Sequence, residues 1–272
     1  MTRLRPIAAC FVATAVVALS AAPGGAEELR QEFRQLYDLG AGATVSVRNT
    51  NGSLDIAKWK GDQVLVEATK TVEALGRSRV EAAMEALRIA VNHSGTRLEI
   101  RTELPENTSG ALSWLFGRQV RARVSYRIRV PGGIAIRALT VNGNITVEAI
   151  DGKVDAETTN GQIVIRGAQA STIASTLNGS IRADFGSVSD AGEINFRTTN
   201  GAITVYAPHD LGCSVDASSV HGSVTTDFLI VVQREHGRKQ LRGDINGGGR
   251  RLSLRTVNGS IQLRKKDRAD RL

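Results

Sequence analysis

Val154-Asp-Ala-Glu-Thr-Thr-Asn-Gly-Gln-Ile-Val-Ile-Arg-Gly167 holds a strand, a corner and a second strand within one short stretch. Val154, Ala156 and Thr158 alternate before Asn160-Gly161, and Ile163 and Ile165 resume the alternation after it. A strand sends successive side chains to opposite faces, so both sets can point into one interior. The phrase then recurs. Asn51-Gly52, Asn142-Gly143, Asn160-Gly161, Asn178-Gly179, Asn200-Gly201, His221-Gly222 and Asn258-Gly259 share it, and from Asn142 onward the steps are 18, 18, 22, 21 and 37 residues.

Three residues after each Asn (or His221), from Asn142 onward, stand Ile145, Ile163, Ile181, Ile203, Val224 and Ile261. Five residues after stand Val147, Ile165, Ala183, Val205, Thr226 and Leu263. Upstream sets such as Ile194/Phe196/Thr198, Val215/Ala217/Ser219 and Leu252/Leu254/Thr256 match Val154/Ala156/Thr158. In the Asn178 coil Thr172, Ala174 and Thr176 hold these places and Ile173 falls out of phase, which a bulge or a looser turn would reconcile. One strand pair cannot bury its apolar face alone, so a period of this length implies stacked coils about 4.8 Å apart. The expected fold is mainly β, a stacked-coil, β-helix-like β-solenoid over 131–264. The final step of 37 residues reads as about two periods.

The Asn-Gly letters invite a ligand reading, but turn geometry accounts for them. Gly accepts positive φ without strain, Asn tolerates it next best, and His is also enriched there. Aligned Asn side chains could bond to one another as a ladder. Glycosylation sequons such as Asn178-Gly179-Ser180 follow from the same letters and carry little information.

Residues 27–130 read as a mixed α+β region continuous with the stack. Thr44 to Val47 and Leu54 to Ile56 alternate about Asn51-Gly52, a hairpin signal. Val64, Val66 and Ala68 form another strand. Val80, Ala83, Met84, Leu87 and Val91 share a helical face, predicting one helix over about 78–91 that packs on a small sheet. Strands follow at Leu98–Thr102 and Arg121–Val130, separated by a loop with Trp114, Leu115 and Phe116.

Residues 1–26 read as an export signal: Arg3 and Arg5, then the apolar run Ile7–Ala22, then Gly24-Gly25-Ala26 before Glu27. The run is short for a spanning helix and is broken by Pro23. Ile7-Ala8-Ala9-Cys10 loosely resembles a lipid-attachment box, yet most of the apolar run follows Cys10. Removing Arg3 and Arg5 takes the formal charge from +8 to +6. The excess gathers in Arg234–Arg251 and the basic tail 265–272. Cys213 alone would remain, so the exported chain would have no internal disulfide.

The chain resembles the bacterial DUF4097-type β-strand-repeat proteins, a group provisionally described as adhesins. The matching residues are Val45-Ser-Val-Arg-Asn-Thr-Asn-Gly-Ser-Leu54, Val124-Ser-Tyr-Arg-Ile-Arg-Val-Pro-Gly-Gly133, the Asn-Gly coils and Gly247-Gly-Gly-Arg-Arg-Leu-Ser-Leu-Arg-Thr-Val-Asn-Gly-Ser-Ile261. The resemblance implies an envelope or secreted β-solenoid without established catalytic residues. It also implies no cofactor.

Signatures of chemistry are sparse. His93, His209, His221 and His236 are scattered, none at zinc-ligand spacing. Among carboxylates only Asp151, Asp155, Glu157 and Asp184 are local candidates for a glycoside-cleaving set. The expectation is a non-enzymatic exported protein that binds through an extended surface, with no metal and no nucleic-acid partner. Arg137, Arg166, Arg182, Arg197 and Arg255 could form a basic stripe for an anionic wall polymer, and Trp114 could mark a protein contact. An envelope protein or a second copy is the other partner class. Trp59 and Trp114 would be sugar platforms in the enzyme reading, or packing residues where the two regions join.

Overall fold

The computed structural model describes residues 13–21, 26–103, 120–186, 192–235 and 239–266, with the backbone path alone for 13–21 and 231–235. The amino-terminal strands are β1 (Ala13–Ala21), β2 (Glu27–Tyr37), β3 (Thr44–Arg48), β4 (Leu54–Lys58) and β5 (Val64–Ala74). The helix α1 (Arg77–Ala86) leads into β6 (Arg88–Ser94), β7 (Arg97–Glu103) and β8 (Arg121–Val130). The coils are then β9 (Ala135–Asn142) with β10 (Ile145–Glu148), β11 (Val154–Asn160) with β12 (Ile163–Arg166), and β13 (Thr172–Asn178) with β14 (Ile181–Asp184). Next come β15 (Ile194–Asn200) with β16 (Ile203–Ala207) and β17 (Cys213–Ser219) with β18 (Val224–Thr226). A pair β19 (Val231–Glu235) and β20 (Gln240–Ile245) precedes the last coil, β21 (Arg250–Asn258) with β22 (Ile261–Lys265).

Two sheets of 11 strands result. The front sheet runs β1-β2-β5-β8-β4-β10-β12-β14-β16-β22-β18, and the back sheet β19-β20-β17-β21-β15-β13-β11-β9-β3-β7-β6. Each Asn-Gly phrase turns the chain from back sheet to front sheet, and successive coils stack in parallel with Val154 opposite Ile136 and Thr172, and Ile163 opposite Ile145 and Ile181. The inward positions read from the sequence line one continuous buried core running from Tyr37 to Leu263, except in the end coil, where Val224 and Thr226 are only partly buried. Stacked-coil architecture thus follows from the alternation.

Five expectations change. First, Asn51-Gly52 is not a hairpin: β3 and β4 lie in different sheets, and β4 pairs in parallel with β8 and β10. The phrase there makes the same corner as its later copies. Second, the helix ends at Ala86. Leu87 is extended, and Arg88–Ser94 pairs in register with Arg97–Glu103. The β-branched Ile89 and Val91 fit that edge strand, so sheet pairing overrides the helical spacing. Third, the Asn178 coil has no bulge. Thr172 takes the place of Val154 and Ile194 in unbroken register, fully buried, with its hydroxyl donating to the Ala170 carbonyl at 3.0 Å.

Fourth, the coils are not stacked in sequence order. The Asn258 coil, β21/β22, sits between the Asn200 coil and the His221 coil. The long last step is a return, in which β19 and β20 lie antiparallel beyond β17 and the chain then re-enters the stack. Fifth, β2 is a strand that the alternation around the Asn-Gly phrases does not predict. It pairs antiparallel with β5 over its whole length and with β1 on its other edge. Helix α1 packs on β5 and β2, with Val80, Ala83 and Met84 buried, and so closes the amino-terminal end of the core.

Candidate binding surface

Five of the seven corners carry a four-residue phrase, Thr-x-Asn-Gly, in which three letters have a separate task. The first corner reads Asn49-Thr50-Asn51-Gly52, with Asn49 Nδ2 donating to the Val124 carbonyl at 2.8 Å, and the His221 corner reads Ser219-Val220-His221-Gly222. The Thr (Ser219 in one coil) is buried and donates to the Gly carbonyl of the neighbouring coil. Thr158 reaches Gly143 O at 3.0 Å, Thr176 Gly161 O at 3.1 Å, Thr198 Gly179 O at 2.8 Å, Thr256 Gly201 O at 2.9 Å and Ser219 Gly259 O at 2.8 Å. A buried carbonyl would otherwise lose a partner, so this rung satisfies the corner.

The Gly is required for a reason other than the expected positive φ. Among the corner glycines only Gly52 adopts it, while Gly143, Gly161, Gly179, Gly201, Gly222 and Gly259 do not. A Cβ on Gly179 would lie 1.9 Å from the Gly161 carbonyl oxygen, and one on Gly161 would lie 2.0 Å from that of Gly143. Backbones stack too closely at the corner for any side chain. Neither the corner Asn residues nor His221 have positive φ either.

The Asn side chains form the expected ladder, and Asn51 belongs to it. Asn142 Nδ2 donates to Asn51 Oδ1, Asn160 to Asn142, Asn178 to Asn160 and Asn200 to Asn178, all at 2.8 Å, and Asn258 donates to Asn200 at 2.7 Å. His221 ends the stack, and its backbone N–H bonds the Val257 carbonyl at 2.7 Å. Asn142, Asn160, Asn178 and Asn200 each spend one N–H and one lone pair within the ladder, which leaves one N–H and one lone pair of each amide outside it.

The unassigned letter x faces outward beside the ladder. Val141, Leu177, Val257 and Val220 are exposed there, alternating with Thr159 and Thr199. Ladder and row together make a straight amphipathic ridge along six neighbouring coils, spanning roughly 24 Å at the usual strand spacing. The sequence contained this row in full; the signal was an aliphatic or Thr immediately before each Asn.

The proposed basic stripe is divided by the fold. Arg166 and Arg182 project from the front sheet, whereas Arg137, Arg197 and Arg255 lie on the back sheet. Most are also engaged. Arg166 Nη1 pairs with Glu148 Oε1 at 2.6 Å, Arg137 with Asp155 at 3.6 Å and Arg255 with Asp216 at 3.6 Å, while Arg182 lies 4.5 Å over the Tyr206 ring. Arg197 and Arg255 alone are direct cross-strand neighbours. Trp114 lies outside the described residues. Trp59 stays in its own turn, with Nε1 donating to the Gln63 carbonyl at 2.8 Å.

The four carboxylates are not brought together. Asp151 sits in a connection, held by Lys58 Nζ at 2.8 Å and the Gly133 N–H at 2.8 Å. Its partial burial opposes ionisation, but those two donors outweigh it and the carboxyl pKa falls below its usual value. Asp155 and Glu157 face outward from the back sheet, and Asp184 bonds Lys266 on the front sheet at 2.8 Å. Among the described residues no group of three or more His, Cys, Asp or Glu is placed to hold a metal. Burial and the nearby Asp244 push the Cys213 thiol up to about 12, so it rests protonated inside the core. No described helix is long and apolar enough to cross a membrane, which leaves strand-built spans unaddressed.

No curated protein matches the chain. Among solved structures, a cell adhesion protein from Clostridium sporogenes, so named provisionally, aligns with a TM-score of 0.51 and 16% identity over 87% of this chain and 100% of its own. That likeness shows a shared fold. A provisionally named adhesin from Bacteroides fragilis aligns at a TM-score of 0.39 and 9% identity over 86% and 97%. Residues 41–264 match the family described as Toastrack DUF4097, and the chain belongs to that family.

Proposed function

We propose that this chain is an exported, non-enzymatic binding or scaffold protein of the bacterial cell envelope, adhesin-like in using a long periodic surface. The observation that carries the reading is the ridge. Equivalent Asn, Thr and aliphatic side chains repeat at one strand spacing along one edge of the stack. Repeat proteins bind through such aligned positions, each contributing little and the row contributing much. The cell-adhesion name of the Clostridium sporogenes protein that shares this fold is consistent with it.

The ridge is uncharged, and the arginines are split and mostly neutralised. This favours an extended partner of amphipathic, neutral chemistry, a glycan strand or a β-rich protein face, over a strongly anionic polymer. The test is retention of the protein on isolated cell-wall sacculi and on envelope vesicles at low and high salt. The ridge reading expects retention that survives high salt and is lost in Leu177→Glu and Val257→Glu. Salt-labile retention that disappears with Arg197→Glu and Arg255→Glu would replace it with a basic face.

A further inference from the structure

The outer edge of β2 is a strand-accepting edge. In the full chain β1 occupies it, antiparallel, with Ala13 opposite Arg34, Val16 opposite Gln31 and Ala21 opposite Glu27. Removal of residues 1–26, on which this inference rests through the export reading above, takes β1 away. An edge strand of 11 residues, Glu27–Tyr37, is then left with unpaired backbone groups.

That strand is complementary to itself. Its outward side chains read Glu28, Arg30, Glu32, Arg34. Antiparallel pairing of two copies about a two-fold axis at Gln31 sets Glu28 opposite Arg34 and Arg30 opposite Glu32, twice each. A self-pairing strand must keep the numbers of opposed residues summing to an even value, and this register does. On the inward side Leu29 falls opposite Phe33, and both already pack at the margin of the core. Neighbouring registers lose this match: a shift of the axis to Arg30 or Glu32 opposes like charges.

Shape agrees with sequence. Beyond the β3/β4 coil the front sheet adds β8, β5 and β2, whereas the back sheet adds only β7 and β6. β2 therefore projects one strand past the opposite sheet. Beneath it lies a cleft of about 480 Å³ lined by Gln31, Phe33, Lys70, Ile89 and Val91, with Lys70 Nζ donating to Gln31 Oε1 at 3.1 Å. Burial lowers the Lys70 pKa, consistent with an ammonium at the rim of an apolar hollow.

We infer that the processed chain forms a two-fold dimer in which β2 pairs with β2 of a second copy, joining the two front sheets into one. The charged residues involved are half exposed and make only loose contacts within one chain, such as Arg30 to Glu32 at 3.9 Å and Arg34 to Glu67 at 3.3 Å. They are free to bridge a second copy without disturbing the fold.

The experiment uses the full chain with a protease site inserted between Ala26 and Glu27. Mass is measured by light scattering before and after cleavage and release of the leader. Intact mass of the protein recovered from the envelope separately reports whether cells remove residues 1–26, so failure of the export reading is distinguishable from failure of the interface. The expected result is a monomer before cleavage and a doubled mass after it. Arg30→Glu weakens the dimer by about ten-fold or more, since two cross-strand pairs become repulsive, and adding Glu32→Arg restores it. Gln31→Cys, in a Cys10→Ser background, cross-links to itself because opposed residues lie within disulfide reach, and Leu36→Cys does not. A cleaved protein that stays monomeric at high micromolar concentration overturns the inference. So does a dimer indifferent to Arg30→Glu or unable to form the Gln31→Cys bridge.

Discussion

Gly179→Ala isolates the closest contact in the stack. The new Cβ would stand 1.9 Å from the Gly161 carbonyl oxygen, against the 3.0 Å or more that real Cβ atoms keep. Relief needs the two coils to part at that corner by about 1 Å. Four bonds cross there: Gly161 N–H to Asn178 O at 3.0 Å, Thr176 Oγ1 to Gly161 O at 3.1 Å, Asn178 Nδ2 to Asn160 Oδ1 at 2.8 Å and Ile163 N–H to Ser180 O at 3.0 Å. At about 1 kcal/mol each, their loss or stretching costs about 3–4 kcal/mol. Reduced freedom of the unfolded chain returns about 0.4–1 kcal/mol. The net fall of about 2–4 kcal/mol corresponds to a melting point lower by roughly 4–16 °C for a domain of this size. Gly167→Ala supplies the comparison. Gly167 has positive φ but nothing nearer than 3.6 Å, so it pays only the backbone term of about 1–2 kcal/mol. Gly95→Ala meets neither problem and should be neutral or slightly stabilising. Thermal melting followed by far-ultraviolet circular dichroism ranks the three. If Gly179→Ala melts with Gly95→Ala, the close stacking of the corners is wrong.

Asn178→Ala breaks two ladder bonds and Asn258→Ala one, because His221 does not continue the ladder. Chemical denaturation should therefore show a loss of about 1–2 kcal/mol for the first and about half of it for the second, and equal losses would count against a continuous ladder. At high pH two buried groups act together. Burial raises Tyr126 to about 12, partly offset by its bond to Thr102, and raises Cys213 to about 12. Each folded value lies above its unfolded one, so the associated stability is present below about pH 9–10 and is lost as pH rises toward 12. Tyr126→Phe should flatten the part of that loss above pH 10, measured by denaturant midpoints at stepped pH. An unchanged slope would mean that Tyr126 ionises freely in the fold.

The period and the inward face were legible because burial enforces them: every residue assigned inward by alternation around Asn142 to Asn200 is buried. Other features were hidden by degeneracy. A Gly chosen for positive φ and a Gly chosen for close backbone approach are the same letter, and only coordinates separate them. The arginines illustrate a rule that could have been applied. Residues before the corner, such as Arg197 at three before Asn200, belong to the back sheet, and residues after it, such as Arg182, belong to the front. The helix end was not legible, since Leu87 and Val91 satisfy a helical face as well as an edge strand. Stack order was the least accessible. The sets Val215/Ala217/Ser219 and Leu252/Leu254/Thr256 fit the same slot, and nothing local says which coil lies next to Asn200.

That inverted order has a consequence for stability. In a solenoid stacked in sequence order, cutting the last coil removes one unit and leaves its predecessor intact. Here β21 is hydrogen-bonded to β15 on one side and to β17 on the other, and β22 likewise joins β16 to β18. A stop after Gly249 thus removes the only described parallel partner of β17/β18. Residues 213–245 keep merely the antiparallel β19 and β20, which themselves depend on β17. Hydrogen exchange should show protection in 213–219 and 240–245 falling roughly 100-fold or more in the truncated chain, with 154–166 little changed. A stop after Lys266 removes no described strand and should leave both regions protected. If 213–219 stays protected without β21, the His221 coil must have docked directly on the Asn200 coil. The inserted order would then be one of two packings open to this sequence, with the carboxy-terminal coil deciding between them.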